Sequence, residues 1–191
     1  MVYRCKNTIL CLFLGLTTVM GVSWSSARPG AQDARSIAQT LTERGLDKYK
    51  FGDPVGAIAD LNQAILRNPR SAQAFWVRGQ AFHKLGKSSQ AIADLNRAVQ
   101  LRPQDPLILF SRGNVRDDLQ DRVGAIADYN QAIVLRPDFA AAYYNRGLVK
   151  SQLGDRPGAL RDLTDALRFF AQFRDTVGYQ RAFQLRRQLG G

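Results

Sequence analysis

Four phrases of one pattern decide how this chain reads: AIADLNQAILRNP at residues 57–69, AIADLNRAVQLRP at 91–103, AIADYNQAIVLRP at 125–137 and ALRDLTDALRFFA at 159–171. They begin at a fixed interval of 34 residues, and residues outside them keep the same register. Gly45, Gly79, Gly113 and Gly147 recur at that step, as do Ala57, Ala91, Ala125 and Ala159, and then Ala64, Ala98, Ala132 and Ala166. Pro69, Pro103 and Pro137 follow it too, with Ala171 in the fourth place. A period of this length, unbroken by insertions, marks supersecondary units stacked in a row. Such a stack buries each unit only against its neighbours, so its ends need cover.

The composition around the phrases suits a folded chain. Of 191 residues 45% are hydrophobic, which excludes general disorder, and only 7 are Pro, which excludes a Pro-rich linker. A chain this long buries roughly two thirds of its unfolded surface and needs no disulfide or metal to stay folded. Lys and Arg number 27 against 16 Asp and Glu, a net charge of +11. Glu43 is the only glutamate and His83 the only histidine. The basic excess raises the question of nucleic acid or an anionic membrane.

Residues 1–27 read as an address. Arg4 and Lys6 precede an apolar stretch from Ile9 to Val22, followed by Ser25, Ser26 and Ala27 and then Arg28-Pro29. Basic, apolar and small-residue parts in that order are those of a secretory signal cut after Ala27. An uncleaved anchor over residues 8–24 is the alternative, although the apolar stretch is short of the roughly 20 residues a spanning helix needs. Cys5 and Cys11 both lie before the expected cut, so the mature chain is free of cysteine. No further long apolar run follows, which leaves no membrane span once the signal is removed. Residues 28–37 read as a short flexible leader.

The repeated residues resemble the tetratricopeptide repeat (TPR) family, with units at 38–71, 72–105, 106–139 and 140–173. The resemblance implies an all-α, right-handed superhelix of four helix-turn-helix repeats. Residues 174–191 then supply a C-terminal capping helix, with Val177, Tyr179, Ala182, Phe183, Arg186 and Leu189 at helical spacing. The Gly and Ala places are where the paired helices cross closely, and only such small residues admit that approach. Helix starts carry suitable caps: Asp53 before Pro54, Asp105 before Pro106, and Ser71, Ser88, Asp121 and Asp138 elsewhere. Arg67, Arg102 and Arg136 end the second helices, where a cation complements the helix dipole, and the prolines beyond stop them.

In this family the first helix of each unit faces a concave groove. The groove-facing places hold Thr42, Leu46, Tyr49 and Lys50, then Trp76, Gln80, His83 and Lys84, then Phe110, Asn114, Asp117 and Asp118, then Tyr144, Leu148, Ser151 and Gln152. Trp76, Phe110 and Tyr144 form an aromatic row, with Ser111 and Asn145 beside it. Rings that supply area and amides that satisfy a backbone suit a partner peptide, so the expected binding residues are Trp76, Gln80, Phe110, Ser111, Asn114, Tyr144 and Asn145. Packing of the same rings on neighbouring helices is the competing reading. If the groove reading held, Trp76→Ala would leave the thermal midpoint nearly unchanged. TPR domains that grip acidic chaperone tails carry Lys and Asn in the first unit where this chain has Thr42 and Leu46, so that specificity does not carry over.

Arg44, Arg78, Arg112 and Arg146 share one place in the unit, and Asp60, Asp94, Asp128 and Asp162 another. Matched numbers suggest structural pairing, and pairing within each unit leaves no residue without a partner. Asp117, Asp118 and Asp121 read as a solvated helix end, lacking calcium-loop spacing around them. One histidine excludes a His-pair metal site within the chain, and no Gly-rich phosphate loop follows a strand. No metal, cofactor or catalytic residue is expected. The reading is a non-enzymatic, exported adaptor that binds an unidentified protein partner. Its repeat phrases look like those of cyanobacterial TPR proteins, which implies a periplasm, thylakoid lumen or extracellular location. The alternatives are a polyanion or anionic-membrane binder and an accessory subunit of a larger complex. Nucleic acid is disfavoured, because the groove residues are not mainly basic and no recognised nucleic-acid module is present.

Overall fold

The computed structural model describes residues 29–190, and these residues form nine α-helices and no strand. The signal expected over 1–27 and the alternative anchor over 8–24 lie outside the described residues. Unit one is α1 (Pro29–Lys50) and α2 (Pro54–Arg67), and unit two is α3 (Ala72–Lys84) and α4 (Ser88–Leu101). Unit three is α5 (Pro106–Asp118) and α6 (Arg122–Leu135), unit four α7 (Ala140–Gln152) and α8 (Arg156–Gln172), and the cap α9 (Thr176–Gln188). Each helix packs on the next in sequence, and the first helices also pack side by side, α1 on α3, α3 on α5, α5 on α7 and α7 on α9. This is the four-unit solenoid with a closing helix that the period implied.

Two boundaries differ from expectation. The segment 28–37 is not a leader, because α1 is helical from Pro29 onward. Ala34, Arg35 and Gln39 are strong helix formers, and the only proline of the helix stands at its start, where it is tolerated. At the other end α8 runs 17 residues where α2, α4 and α6 run 14. Ala171 stands where the other units have proline, so nothing stops the helix there.

The caps are mostly as the sequence placed them. Asp53 accepts from the Gly56 N–H at 2.8 Å, Ser71 from Ala74 at 3.3 Å, Asp105 from Leu107 at 3.0 Å and Asp121 from Gly124 at 2.9 Å. Ser88 and Asp138 do not cap. Ser88 is already the first residue of α4, after Lys87, and Asp138 instead receives Arg136 Nε at 3.3 Å, leaving Phe139 at the helix start. Asp155 and Asp175 cap α8 and α9, each accepting from a glycine N–H at 2.9 Å.

Close helix crossing follows from the glycines. Leu61, Leu95, Tyr129 and Leu163 are fully buried, one per unit, under the glycine of the facing helix. A Cβ at Gly79 would stand 2.9 Å from Leu95 Cγ, and one at Gly113 would stand 2.6 Å from Tyr129 Cε1. The turn inside each unit also needs a left-handed residue, with φ of 88° at Gly52, 71° at Gly86 and 83° at Gly154. Unit three places Gln120 there at φ 64°. A side chain in that region costs about 1 kcal/mol that glycine avoids. Gln120→Gly is therefore expected to raise the thermal midpoint by roughly 2–4 °C, measured by circular dichroism.

The Arg and Asp rows pair within units, as the matched numbers suggested. Each is a two-pronged contact: Arg78 reaches Asp94 with Nε and Nη2 at 2.7 Å, and Arg112 reaches Asp128 at 2.9 and 2.6 Å. Arg44 with Asp60 and Arg146 with Asp162 repeat the geometry. The third nitrogen crosses to the preceding unit, Arg78 to Asn62 at 2.7 Å, Arg112 to Asn96 at 3.3 Å and Arg146 to Asn130 at 2.6 Å. One residue type thus ties both helices of a unit and the unit before it. Lys48, Arg116 and Lys150 add a second cation to Asp60, Asp128 and Asp162, while Phe82 fills that place in unit two.

Hydrogen bonds from Arg44, against some loss of hydration, and then the nearby Lys48 hold the Asp60 carboxyl down at about 2. A carboxyl depressed on folding stabilises the fold fully above its unfolded value near 4, and that contribution fades as pH falls toward 2. Acid titration followed by circular dichroism should show Asp60→Asn losing less stability than the parent between those values. An identical acid limb in both proteins would contradict the ion pair.

The cap α9 covers the last unit through Ala182, fully buried, with Tyr179, Leu185 and Leu189 against Leu163, Ala166 and Phe170. Val177 and Phe183, expected on its inner face, are exposed. Among the described residues the core clusters are assembled from residues 41–189.

Candidate functional site

The side-by-side first helices make the inner face of the array, and two cavities open along it. The smaller, about 110 Å³, lies between units one, two and three and is lined by Tyr49, Gln80, His83, Phe110, Ser111 and Asn114. The larger, about 300 Å³, lies between units three and four and the cap, with Phe110, Tyr144, Asn145, Phe170 and Arg181 on its walls. Phe110 is common to both. Its ring is held by Phe139 at 4.8 Å and Tyr129 at 5.9 Å between centroids, so it forms a fixed apolar ridge between them.

A polar network runs under this surface. Ser111 is buried and receives two donors, Trp76 Nε1–H at 2.8 Å and Gln80 Nε2–H at 3.1 Å, while its own hydroxyl donates to the Leu107 carbonyl at 2.8 Å. Asn114 Oδ1 receives the Tyr129 hydroxyl at 2.9 Å and Asn145 Nδ2 at 2.7 Å. Burial pushes the Tyr129 phenol well above its ordinary range, so it stays a donor at all physiological pH. With these contacts filled, Gln80 Oε1, Asn114 Nδ2 and Asn145 Oδ1 have no partner among the described residues. Locked amides with one free group each can bond to a backbone laid along the face.

Of the seven expected binding residues, six line the cavities and one does not. Trp76 packs against the core clusters of units one, two and three, and its only polar atom is taken by Ser111. The fifth place of each unit therefore divides: Phe110 and Tyr144 face the groove and Trp76 is chiefly a packing residue. Thr42, the equivalent in unit one, is also buried, with its hydroxyl on the Ala38 carbonyl at 2.7 Å. Phe170 and Arg181 were not singled out by the sequence. Arg181 stands one interval beyond Gly147, a departure from the glycine row that marks the end of close crossings.

The acidic residues of unit three are engaged locally. Asp118 meets His83 Nε2, and Asp121 caps α6. Burial lifts the Asp117 carboxyl above its usual range, with Asp118 adding to the rise and Arg122 opposing it. Among the described residues no group of three His, Cys, Asp or Glu side chains could hold a metal, and no helix is long and apolar enough to cross a membrane.

The sequence matches the tetratricopeptide repeat family over residues 42–106 and, as TPR repeat, over residues 123–154, together about half of the chain. Its structure is similar to the crystal structure of MamA, with TM-score 0.67 and 26% identity over 76% of this chain and 86% of that one. It is also similar to the first TPR of Spaghetti (RPAP3) bound to HSP90 peptide SRMEEVD, with TM-score 0.61 and 26% identity over 63% of this chain and 95% of that one. Pseudomonas aeruginosa PilF shares the fold, with TM-score 0.66 and 20% identity over 85% of this chain and 79% of that one. Comparison with curated proteins finds no match.

Proposed function

Because the chain belongs to the tetratricopeptide repeat family, whose members generally mediate protein–protein interaction and are typically non-catalytic, we propose that it is an exported adaptor gripping a partner segment along its inner face. The observation that supports this is the pair of cavities joined at Phe110 and rimmed by amides whose one polar group is already fixed. Phe110 and Tyr144 offer apolar area, and Gln80, Asn114 and Asn145 offer backbone partners at intervals along the same face. The partner is a protein segment, extended or helical, with an apolar side chain seated beside Phe110 in the larger cavity. The peptide bound by the Spaghetti domain is not carried over to this chain, since Thr42 is buried and Leu46 is apolar where TPR domains that grip acidic chaperone tails carry Lys and Asn.

The basic, apolar and small-residue order of residues 1–27 supports export, with the array working in a periplasm, thylakoid lumen or extracellular space. The test is purification from the native host after mild crosslinking. A protein starting at Arg28 and carrying a defined partner is expected. The Tyr144→Ala/Asn145→Ala double variant should lose that partner by tenfold or more, at roughly 1.4 kcal/mol per decade, and keep its helical spectrum. A partner retained by that variant would move the binding surface off the inner face.

A further inference from the structure

Departures from the repeat gather at the larger cavity of the inner face. The row of rings Trp76, Phe110 and Tyr144 next falls on Gly178, which has no side chain. A Cβ there would stand 2.5 Å from Phe170 Cε1, so the first turn of α9 lies against that ring and adds none of its own. Ala141 holds the second place of unit four, where the other units carry Gln39, Gln73 and Leu107. Phe170 stands where Asn68, Arg102 and Arg136 follow the ends of α2, α4 and α6. Because Ala171 lets α8 run on, Phe170 is helical and only 8% exposed.

Gly178, Ala141 and Phe170 all line the cavity, which extends over about 300 Å³. Bulk is withdrawn at the first two and aromatic surface is added at the third. Phe110, Tyr144 and Phe170 thus present three rings to one open space. By register that space adjoins the place a ring holds in units two, three and four.

Charge narrows the occupant. Arg181 and Asp175 are the charged residues on the walls, one of each sign, so the cavity favours neither an acid nor a base. Asp175 accepts from the Gly178 N–H at 2.9 Å, whereas Arg181 has no hydrogen bond or ion pair among the described residues. An aromatic ring has a negative face and a positive edge, so it can offer its face to the guanidinium and its edge to the rings around it. Leucine or valine would fill volume and offer neither.

We propose, resting on the reading that a partner segment lies along the inner face, that the larger cavity receives one aromatic side chain of that segment and that Ala141 sets the depth available to it. The partner's ring continues the row that the chain leaves off at Tyr144. Leucine at the place of Ala141 occurs in unit three as Leu107, so the helix accepts it, but here it would fill the cavity floor.

The test is selection from a phage-displayed library of random dodecapeptides on the protein purified from its native host, followed by affinity measurement on the selected peptides. Peptides sharing one aromatic position are expected. Changing that position to leucine should weaken binding by about two- to tenfold. Ala141→Leu should weaken it by roughly tenfold. Arg181→Gln should weaken it by about two- to fivefold. Both variants should keep the parent's helical spectrum and melt. Peptides without a shared aromatic position, or with one indifferent to Ala141→Leu, would overturn the pocket even where Tyr144→Ala/Asn145→Ala still abolished their binding. Binders indifferent to that double variant, or no binders at all, would overturn the inner-face reading and the pocket with it.

Discussion

Asp128→Ala is expected to cost the array about 3 kcal/mol or more, lowering its thermal midpoint by roughly 10 °C. The carboxylate is buried and receives both Arg112, at 2.9 and 2.6 Å, and Arg116 at 2.9 Å. Removing it leaves two guanidinium groups facing each other, and their side chains are only 15% and 25% exposed. Breaking a buried pair on one side costs more than the pair contributes, because the remaining charge is desolvated without compensation. The same substitution in unit one makes an internal control. Arg44 and Lys48 there are 58% and 38% exposed, so water replaces part of what the lost carboxylate supplied, and Asp60→Ala should cost clearly less than Asp128→Ala. Thermal melts of the two variants side by side would show the contrast, and equal shifts would contradict it.

Trp76→Ala is the second large effect, about 3 kcal/mol. The indole packs into the core shared by units one, two and three, and its removal also deprives buried Ser111 of a donor at 2.8 Å. Tyr144→Ala, at the same place of its unit and half-buried on the groove, should cost well under half as much. This reverses the expectation that Trp76 could be truncated at little cost to the midpoint. A Trp76→Ala protein melting within a few degrees of the parent would return the indole to the groove surface.

Both cases show what a repeat makes legible. The period locates each residue within its unit, so Gly113 against Tyr129, the pairing of Arg112 with Asp128 and the turn at Gly86 could be inferred from register alone. It does not specify what the neighbouring unit presents. Trp76, Phe110 and Tyr144 are equivalent by register, yet Ser111 draws the indole inward, whereas Phe139 props the Phe110 ring against the cavity. The Asn62, Asn96 and Asn130 contacts that join units were hidden for the same reason, since they belong to the step between repeats. The ends were least legible. Helix α9 has no copy for comparison, and its apolar residues fall on two faces, so Leu185 packs inward where Phe183 was expected. At the other end Ala31, Gln32, Ala34 and Arg35 favour helix and outweigh Gly30, so α1 begins earlier, at Pro29.

The central claim is that the inner face, at Phe110 and the cavity beside Tyr144, is where a partner segment lies. The most direct measurement places a photo-crosslinking phenylalanine analogue at Tyr144 and, separately, at Leu66 on the outer face, in the full chain expressed in its native host. The account predicts one defined adduct from the Tyr144 position, lost when Asn145 is replaced by alanine, and no such adduct from the Leu66 position. The same adduct from Leu66 and none from Tyr144 would contradict it.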